Sequence, residues 1–331
     1  MSENSSNASS RPPGDLFSVA GKVAVVTGGG SGMGRELVRQ LAAEGCSVAA
    51  CDLNADTVAE TVTQGRPGVA AEVTITGHVC DVSDEAQVLR FRDELLDAHD
   101  ADHVDLVFSN AGVGGAGSFI KDSREDWERV FAVDWWGVYY CARAFLPLLI
   151  KSAEGVLVNT SSANGFFATL GPGAPHTAYS TAKFAVKGFS EALIEDLRTN
   201  APHVRVAVVM PGHVGTNIVA NSLRAFGLDA EHMTDDELEV FRPRLAERGL
   251  PDGMPVSELR RILVTANADF RDKAPVTAAE AATVILDGVR AGAWRILIGK
   301  DAAQLDAFVR GNPDATYDYA EMRKSFQAGE T

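Results

Sequence analysis

Cysteine is scarce in this sequence of 331 residues. There are four, Cys46, Cys51, Cys80 and Cys141, with no Cys-x-x-Cys pair and no histidine at metal-ligand spacing. That pattern excludes the common zinc and dithiol motifs, so no metal site is expected. Three of the four lie in or beside apolar runs, where buried free thiols suit a reducing, cytoplasmic setting. Basic charge is also in deficit: 30 Lys and Arg against 45 Asp and Glu give a formal net charge of -15. A chain so acidic argues against nucleic acid or an anionic membrane as its main partner. No apolar run approaches the ~18 residues of a spanning helix. The opening MSENSSNASSRPPGD lacks the apolar core of a signal peptide.

Internal repeats are absent, and the Ser-, Asn- and Pro-rich start is the one low-complexity stretch, so residues 1–15 are expected to be disordered. The remainder, 46% apolar and 23% charged overall, has the composition of an ordinary globular protein. The tail 311–331 is polar and only weakly periodic, which sets it apart from a single domain over 16–310.

Seven short apolar, β-branched runs punctuate that domain: Lys22–Thr27, Cys46–Cys51, Val73–Cys80, Val104–Phe108, Gly155–Thr160, Val204–Met210 and Trp294–Ile298. Helical patterns separate them, opened at Ser83, at Ser123-x-x-Asp126 for a long helix through Ile150, and at Thr277-x-x-Glu280. Apolar strands alternating with helices predict an α/β fold, a Rossmann-like doubly wound parallel sheet covered on both faces. One irregular region, about 217–274, interrupts the pattern. Thr234-x-x-Glu237 and Ser257–Phe270 mark helices within it, so it reads as a helical lid insertion too small for a core of its own.

After the first strand comes Thr27-Gly28-Gly29-Gly30-Ser31-Gly32-Met33-Gly34, then an amphipathic segment over Arg35–Glu44. Glycines allow a tight turn and close approach to a pyrophosphate, whose charge a helix N-terminus stabilises. Gly28, Ser31, Gly32, Met33 and Gly34 are therefore the expected dinucleotide turn. Asp52 ends the second strand 18 residues after Gly34. Its carboxylate can accept both ribose hydroxyls of NAD, with Leu53 beside it. A 2′-phosphate there would face a carboxylate with no nearby Arg or Lys to offset it. Like charges at about 4 Å cost on the order of 1–4 kcal/mol, which favours NAD over NADP. Ser31, a neutral residue before Gly32, agrees with that preference.

Farther along, Ser162 is followed by Tyr179 and Lys183. In a helix starting near Thr177, residues four apart share a face, so Tyr179 and Lys183 point together. A phenol has a free pKa of about 10, and an adjacent ammonium favours its phenolate.

These motifs, in this order, resemble the short-chain dehydrogenase/reductase family over roughly Gly21–Thr216 and the final helix and strand. TGGGSGMG, Asp81-Val82, SNAG at Ser109–Gly112, Ser162, Tyr179-x-x-x-Lys183 and Pro211-Gly212-x-x-x-Thr216 carry the resemblance. It implies an adenine pocket at Asp81 and Val82, and ribose-side packing by Asn110, Ala111 and Gly112. It implies nicotinamide contacts from Pro211, Gly212, Val214 and Thr216. Ser162 would polarise the substrate oxygen, with Ser161 the alternative. Tyr179 would exchange the proton, and Lys183 would bind the nicotinamide ribose and lower the Tyr179 pKa. A homodimer or homotetramer is implied as well.

Two departures stand out. Where the family has Asn in a V-N-x-x-G setting, this chain reads Val133-Asp134-Trp135-Trp136-Gly137. Asp134 enters the catalytic set because its backbone carbonyl is unchanged, yet its carboxylate would pair with Lys183 and compete for its charge. Ser162 and Tyr179 also lie 17 residues apart, with Gly171, Pro172, Gly173 and Pro175 between them, which predicts an enlarged loop. Phe166, Phe167 and Leu170 of that loop, with Leu223, Phe226, Leu228 and Met233 of the lid, either line an apolar pocket or pack the lid onto the sheet. His176 and His213 flank that pocket but are not assigned to catalysis. The expected activity is hydride transfer between NAD(H) and a bulky, apolar secondary alcohol or ketone. Alternatives are a non-catalytic NAD-binding sensor and an NAD-dependent isomerase or dehydratase of the same fold.

Overall fold

The computed structural model describes residues 17–328, apart from 116, 248, 249 and 252. The expected disorder of residues 1–15 lies outside the described residues.

All seven predicted strands form. They are β1 (Val23–Thr27), β2 (Ser47–Asp52), β3 (Ile75–Val79), β4 (Leu106–Ser109), β5 (Gly155–Thr160), β6 (Val204–Pro211) and, last in the chain, β9 (Arg295–Ile298). Their sheet is parallel throughout, in the order β3-β2-β1-β4-β5-β6-β9. The central strands bury nearly every residue, as a sheet covered on both faces requires. Helices α1 (Gly32–Ala43), α2 (Ala55–Gly65) and α11 (Ala278–Arg290) belong to one face, where Leu37, Leu41, Ile285 and Leu286 join Val26 and Val48. On the other face, α3 (Glu85–His99), α5 (Gly137–Lys151) and α6 (Thr177–Asn200) bring Phe91, Phe145 and Leu193 against Val25, Val107 and Leu157.

The chain builds outward from β1 to β3, then returns to set β4 on the other side of β1. That reversal opens a crevice at the carboxyl ends of β1 and β4, where doubly wound sheets bind ligands.

Several boundaries differ from the sequence reading, each for a local reason. Asp84, not Ser83, caps α3: its side chain accepts the amides of Ala86 and Gln87. Ser123 caps α4 (Arg124–Phe131) by accepting the Asp126 amide. The long helix expected through Ile150 is interrupted, because Ala132–Trp136 forms a π-helical turn between α4 and α5. That wider turn changes which side chains face inward, and Asp134 becomes fully buried.

The lid is helical, as expected, with α7 (Ile218–Ala225), α8 (Asp235–Val240), α9 (Arg242–Glu247) and α10 (Val256–Asp272). Thr234 and Glu237 form a reciprocal capping box at α8, and Thr277 and Glu280 form another at α11. A two-residue parallel pair, β7 (Val214–Gly215) with β8 (Val276–Thr277), clips the base of the lid where it leaves and rejoins the sheet. Contrary to expectation, the lid has an apolar cluster of its own, built from Leu228, Ala230, Leu238, Leu245, Leu259 and Leu263. The described part of the polar tail is helical as well. After α12 (Lys300–Gly311), α13 (Tyr319–Ala328) brings Tyr319 and Met322 against Phe166, Phe167 and Met210.

Candidate active site

The glycine turn sits at the crevice. Gly28 has a φ of +64° and Gly32 a φ of +53°, a region that L side chains rarely adopt. Gly34 is needed for a different reason: a Cβ there would run into the Gly28 carbonyl oxygen and the Asn110 side chain. Ser31 caps α1 without spending its side chain on the helix, and the first turn carries no acid. The amide end of α1 is thus open to an anion. Ser31 Oγ instead accepts from Asn221 Nδ2 of the lid at 3.1 Å. Met33 is partly buried against the sheet core.

Asp52 stands beside the turn. One carboxylate oxygen accepts the Gly30 amide at 2.9 Å and the other the Asn54 amide at 3.1 Å. Leu53 projects to solvent. Contrary to expectation, a base does lie close by. Arg35 donates to the Gly30 carbonyl at 2.6 Å, to Thr61 at 3.0 Å and to Glu60 at 2.7 Å. Those partners tie its guanidinium to the turn and to α2.

Asp81 accepts the Ser83 amide and hydroxyl at 2.9 and 2.7 Å, while Val82 is buried against Gly137. Asn110 bridges β4 to β1: its amide donates to Thr27 Oγ1 at 3.0 Å and its Nδ2 to the Thr27 carbonyl at 3.1 Å. Its Oδ1 is buried with no partner among the described residues. The Ala111 amide also donates to Thr27 Oγ1, at 3.1 Å, and Gly112 leaves room for Asp134 and Lys183. From the other side, Pro211 ends β6 with Gly212 just beyond it and Val214 lies in β7, while Thr216 packs against Gly32. Glycine turn, Asp52, Asn110 and Thr216 therefore border one crevice. Its unspent helix amides, orphaned Asn110 oxygen and neighbouring carboxylate suit a dinucleotide.

Beyond that crevice, Ser162, Tyr179 and Lys183 meet. Ser162 lies two residues past the end of β5, where its Oγ accepts the Asn164 amide at 3.1 Å and its hydroxyl is near enough to the Tyr179 phenol to pull that pKa down. The neighbouring Ser161 is committed elsewhere, since its hydroxyl donates to the Lys183 carbonyl at 2.7 Å. Lys183 Nζ lies 5.3 Å from the Tyr179 ring centre, donates to the Thr160 carbonyl at 3.2 Å and pairs with Asp134 Oδ1 at 3.3 Å. Both partners of that ion pair are buried.

Burial raises the Asp134 carboxyl to about 6, against the pull of Lys183 and of the Val113 amide. Burial works to lower the Lys183 ammonium, but Asp134 and Tyr179 outweigh it and the pKa rises. The Tyr179 phenol is raised above its usual value. Burial dominates, Asp134 adds to it, and Lys183 and Ser162 oppose it without prevailing. The expected lowering by Lys183 is thus present but outweighed.

His176 is the residue that sequence reasoning undervalued. Its ring stacks on Tyr179 with centres 4.6 Å apart and planes at 20°. Burial lowers it to about 4, so it is neutral at physiological pH. Its position three residues before Tyr179, at the mouth of α6, was the available signal. His213 has no such place, because its ring lies tilted against Phe270 with centres 4.4 Å apart and bonds the Phe270 carbonyl at 2.7 Å.

The two readings of the apolar residues now separate. Val113, Trp127, Val130, Ala178 and Phe226 cluster with Tyr179. Phe166 and Phe167 face away, into the core shared with β6 and α13. Leu170 is exposed, and Leu223 and Leu228 belong to the lid's own core. Of the seven apolar residues offered either for the pocket or for lid packing, Phe226 is the one that joins the Tyr179 cluster. The lid is drawn down onto the site: Ser222 Oγ accepts the Gly114 amide at 2.6 Å, and Phe226 packs over Gly115.

With this geometry in place, comparison with known proteins gives the lineage. Residues 22–225 match the model for the short chain dehydrogenase family. The chain belongs to that family. A Mycobacterium tuberculosis protein named as an oxidoreductase, SadH, is 35% identical over 251 residues, covering 75% of this chain and 88% of that one. Meso-2,3-butanediol dehydrogenase of Serratia marcescens is 36% identical over 60% of this chain and 73% of its own. A short chain dehydrogenase/reductase from Burkholderia phymatum, solved in complex with NAD, superposes with a TM-score of 0.69 at 27% identity, over 90% of this chain and 96% of that one. Similar structures include complexes with NAD and with NADP. Among the described residues, no helix is long and apolar enough to cross a membrane.

The two sets of apolar residues separate by experiment. Phe167→Ala should cost about 3–5 kcal/mol of stability, as truncation of a buried aromatic does, read by urea denaturation. Phe226→Ala should instead change the order of preference among alcohols of different bulk. Unchanged preference with Phe226→Ala, or a changed one with Phe167→Ala, would contradict this placement.

Proposed function

We propose that this short chain dehydrogenase is an NAD-dependent alcohol dehydrogenase or carbonyl reductase for bulky, apolar secondary alcohols or ketones. The convergence of Ser162, Tyr179 and Lys183 beside the dinucleotide crevice carries the proposal. A bound nicotinamide dinucleotide supplies the hydride chemistry at its nicotinamide ring. Ser162 Oγ hydrogen-bonds the substrate oxygen and holds it against the phenol. Tyr179 Oη accepts the proton from a carbinol oxygen during oxidation and returns it to a carbonyl oxygen during reduction. Lys183 supports that exchange by favouring the phenolate, and it lies within reach of a ribose in the crevice. His176 stacks on the phenol and fixes the plane of its ring.

The butanediol dehydrogenase relative acts, by its name, on a secondary carbinol, which supports the reaction class. The wall of Val113, Trp127, Val130 and Phe226 favours a larger carbon skeleton than butanediol. Asp52 supports NAD over NADP, because a 2′-phosphate at the ribose corner would face its carboxylate, and Arg35 is already paired with Glu60.

The outer face of the π-helical turn, α5 and α6 carries Trp135, Trp136, Tyr139, Tyr140 and Phe189 in a chain of ring contacts. Trp136, and Phe184 of α6, remain exposed. This surface supports a homodimer or homotetramer, and the free buried thiols fit a cytoplasmic protein.

Replacing Tyr179 by Phe should lower kcat at least about a hundredfold with a secondary alcohol and NAD. Near-normal turnover would remove the proposed proton step. Asp52→Ala should shift the NAD/NADP ratio of kcat/KM toward NADP by roughly tenfold or more. An unchanged ratio would reassign the cofactor preference to other residues.

A further inference from the structure

Asp134 holds a buried charge at a position where the family resemblance leads one to expect a neutral amide. Its Oδ1 accepts the Val113 amide at 3.0 Å and lies 3.3 Å from Lys183 Nζ. Its Oδ2 is buried with no partner among the described residues. Asp134 can occupy this place because the π-helical turn Ala132–Trp136 turns it inward and because Gly112 has no side chain to displace it. An asparagine would give Val113 and Lys183 the same acceptor without the charge.

The electrostatic surroundings are few. Asp134, from the π-helical turn, feels Lys183 of α6 and the Val113 amide. Tyr179 feels Lys183, Asp134 and the Ser162 hydroxyl, while His176, stacked on it, is neutral above about pH 4. The Thr160 carbonyl adds a dipole on Lys183 from β5.

We propose that Asp134 is a positioning residue that holds Lys183 at the end of β5 and, through its own protonation, sets how strongly that ammonium promotes ionisation of Tyr179. This rests on the proton role proposed for Tyr179. With Asp134 ionised, its negative charge partly cancels the ammonium and opposes a phenolate nearby. With Asp134 protonated, the Lys183 charge acts on Tyr179 undiminished. The side chain therefore serves as a regulator of the proton site that an asparagine could not provide.

The sign of the stability effect follows from burial. The Asp134 proton is held more tightly in the fold, at about 6, than an ordinary carboxyl holds it. The stability from that proton is full below the ordinary carboxylate range and is lost as the pH rises through about 6.

The test compares wild type with Asp134→Asn, and with Asp134→Ser as a smaller neutral variant in case the amide disturbs the fold. The pH profile of kcat/KM for alcohol oxidation is read by the position of its limb, whatever the height of its plateau. A second readout needs no turnover: the tyrosinate absorbance titration of the cofactor-free protein, with Tyr179→Phe as the subtracted background. In both neutral variants the limb and the Tyr179 titration should move down by about one pH unit. The Tm advantage of Asp134→Asn over wild type should grow as the pH rises from below 4 to above 6. A limb and a titration that stay in place, or that move up, would overturn the role of Asp134 while leaving that of Tyr179 intact. A limb that persists in Tyr179→Phe would instead overturn the reading of Tyr179.

Discussion

An ammonium shut away from water must find its partners inside the protein, and the site is arranged around that requirement at Lys183. Isolated burial of such a charge costs several kcal/mol, so its neighbours have to be held in place. The Thr160 carbonyl fixes the end of β5 to α6, and the Asp134 carboxylate fixes the π-helical turn to the same point. Ser161 adds a third tie by donating to the carbonyl of Lys183 itself. Through Asp134 the constraint reaches Val113, the strip that follows β4, and so the lid helix that rests on Gly114. Sheet, helix, loop and lid thus meet at one buried charge.

That arrangement makes the phenol's environment a contest rather than a simple activation. Burial and Asp134 push the Tyr179 pKa up, while Lys183 and Ser162 push it down. In the protein alone burial prevails.

Much of this was legible in the sequence. The seven strands could be placed because each is a short apolar run closed by Gly, Asp, Ser or Pro, and the glycine turn because it lies between a strand and an amphipathic helix. Tyr179 and Lys183 could be paired from helical spacing alone. What escaped the sequence depends on tertiary packing. No local pattern marks the π-helical turn, which changes the facing of Asp134 without changing composition. Phe166 and Phe167 look like pocket residues by proximity to Ser162, yet the distant α13 supplies their partners. His176 resembles an exposed loop histidine until its ring is seen flat against Tyr179. Arg35 follows the glycine turn directly, but its fold back onto Gly30 depends on Glu60 and Thr61 of α2.

The central claim is that Tyr179 and its partners promote direct hydride exchange between a secondary carbinol and NAD. Its most direct test supplies a bulky secondary alcohol deuterated at the carbinol carbon, with NAD, and follows the label by mass spectrometry and NMR. The account predicts ketone formed in step with NADH, and deuterium recovered at C4 of the nicotinamide. Deuterium lost to solvent, or product formed with no net NADH, would contradict it.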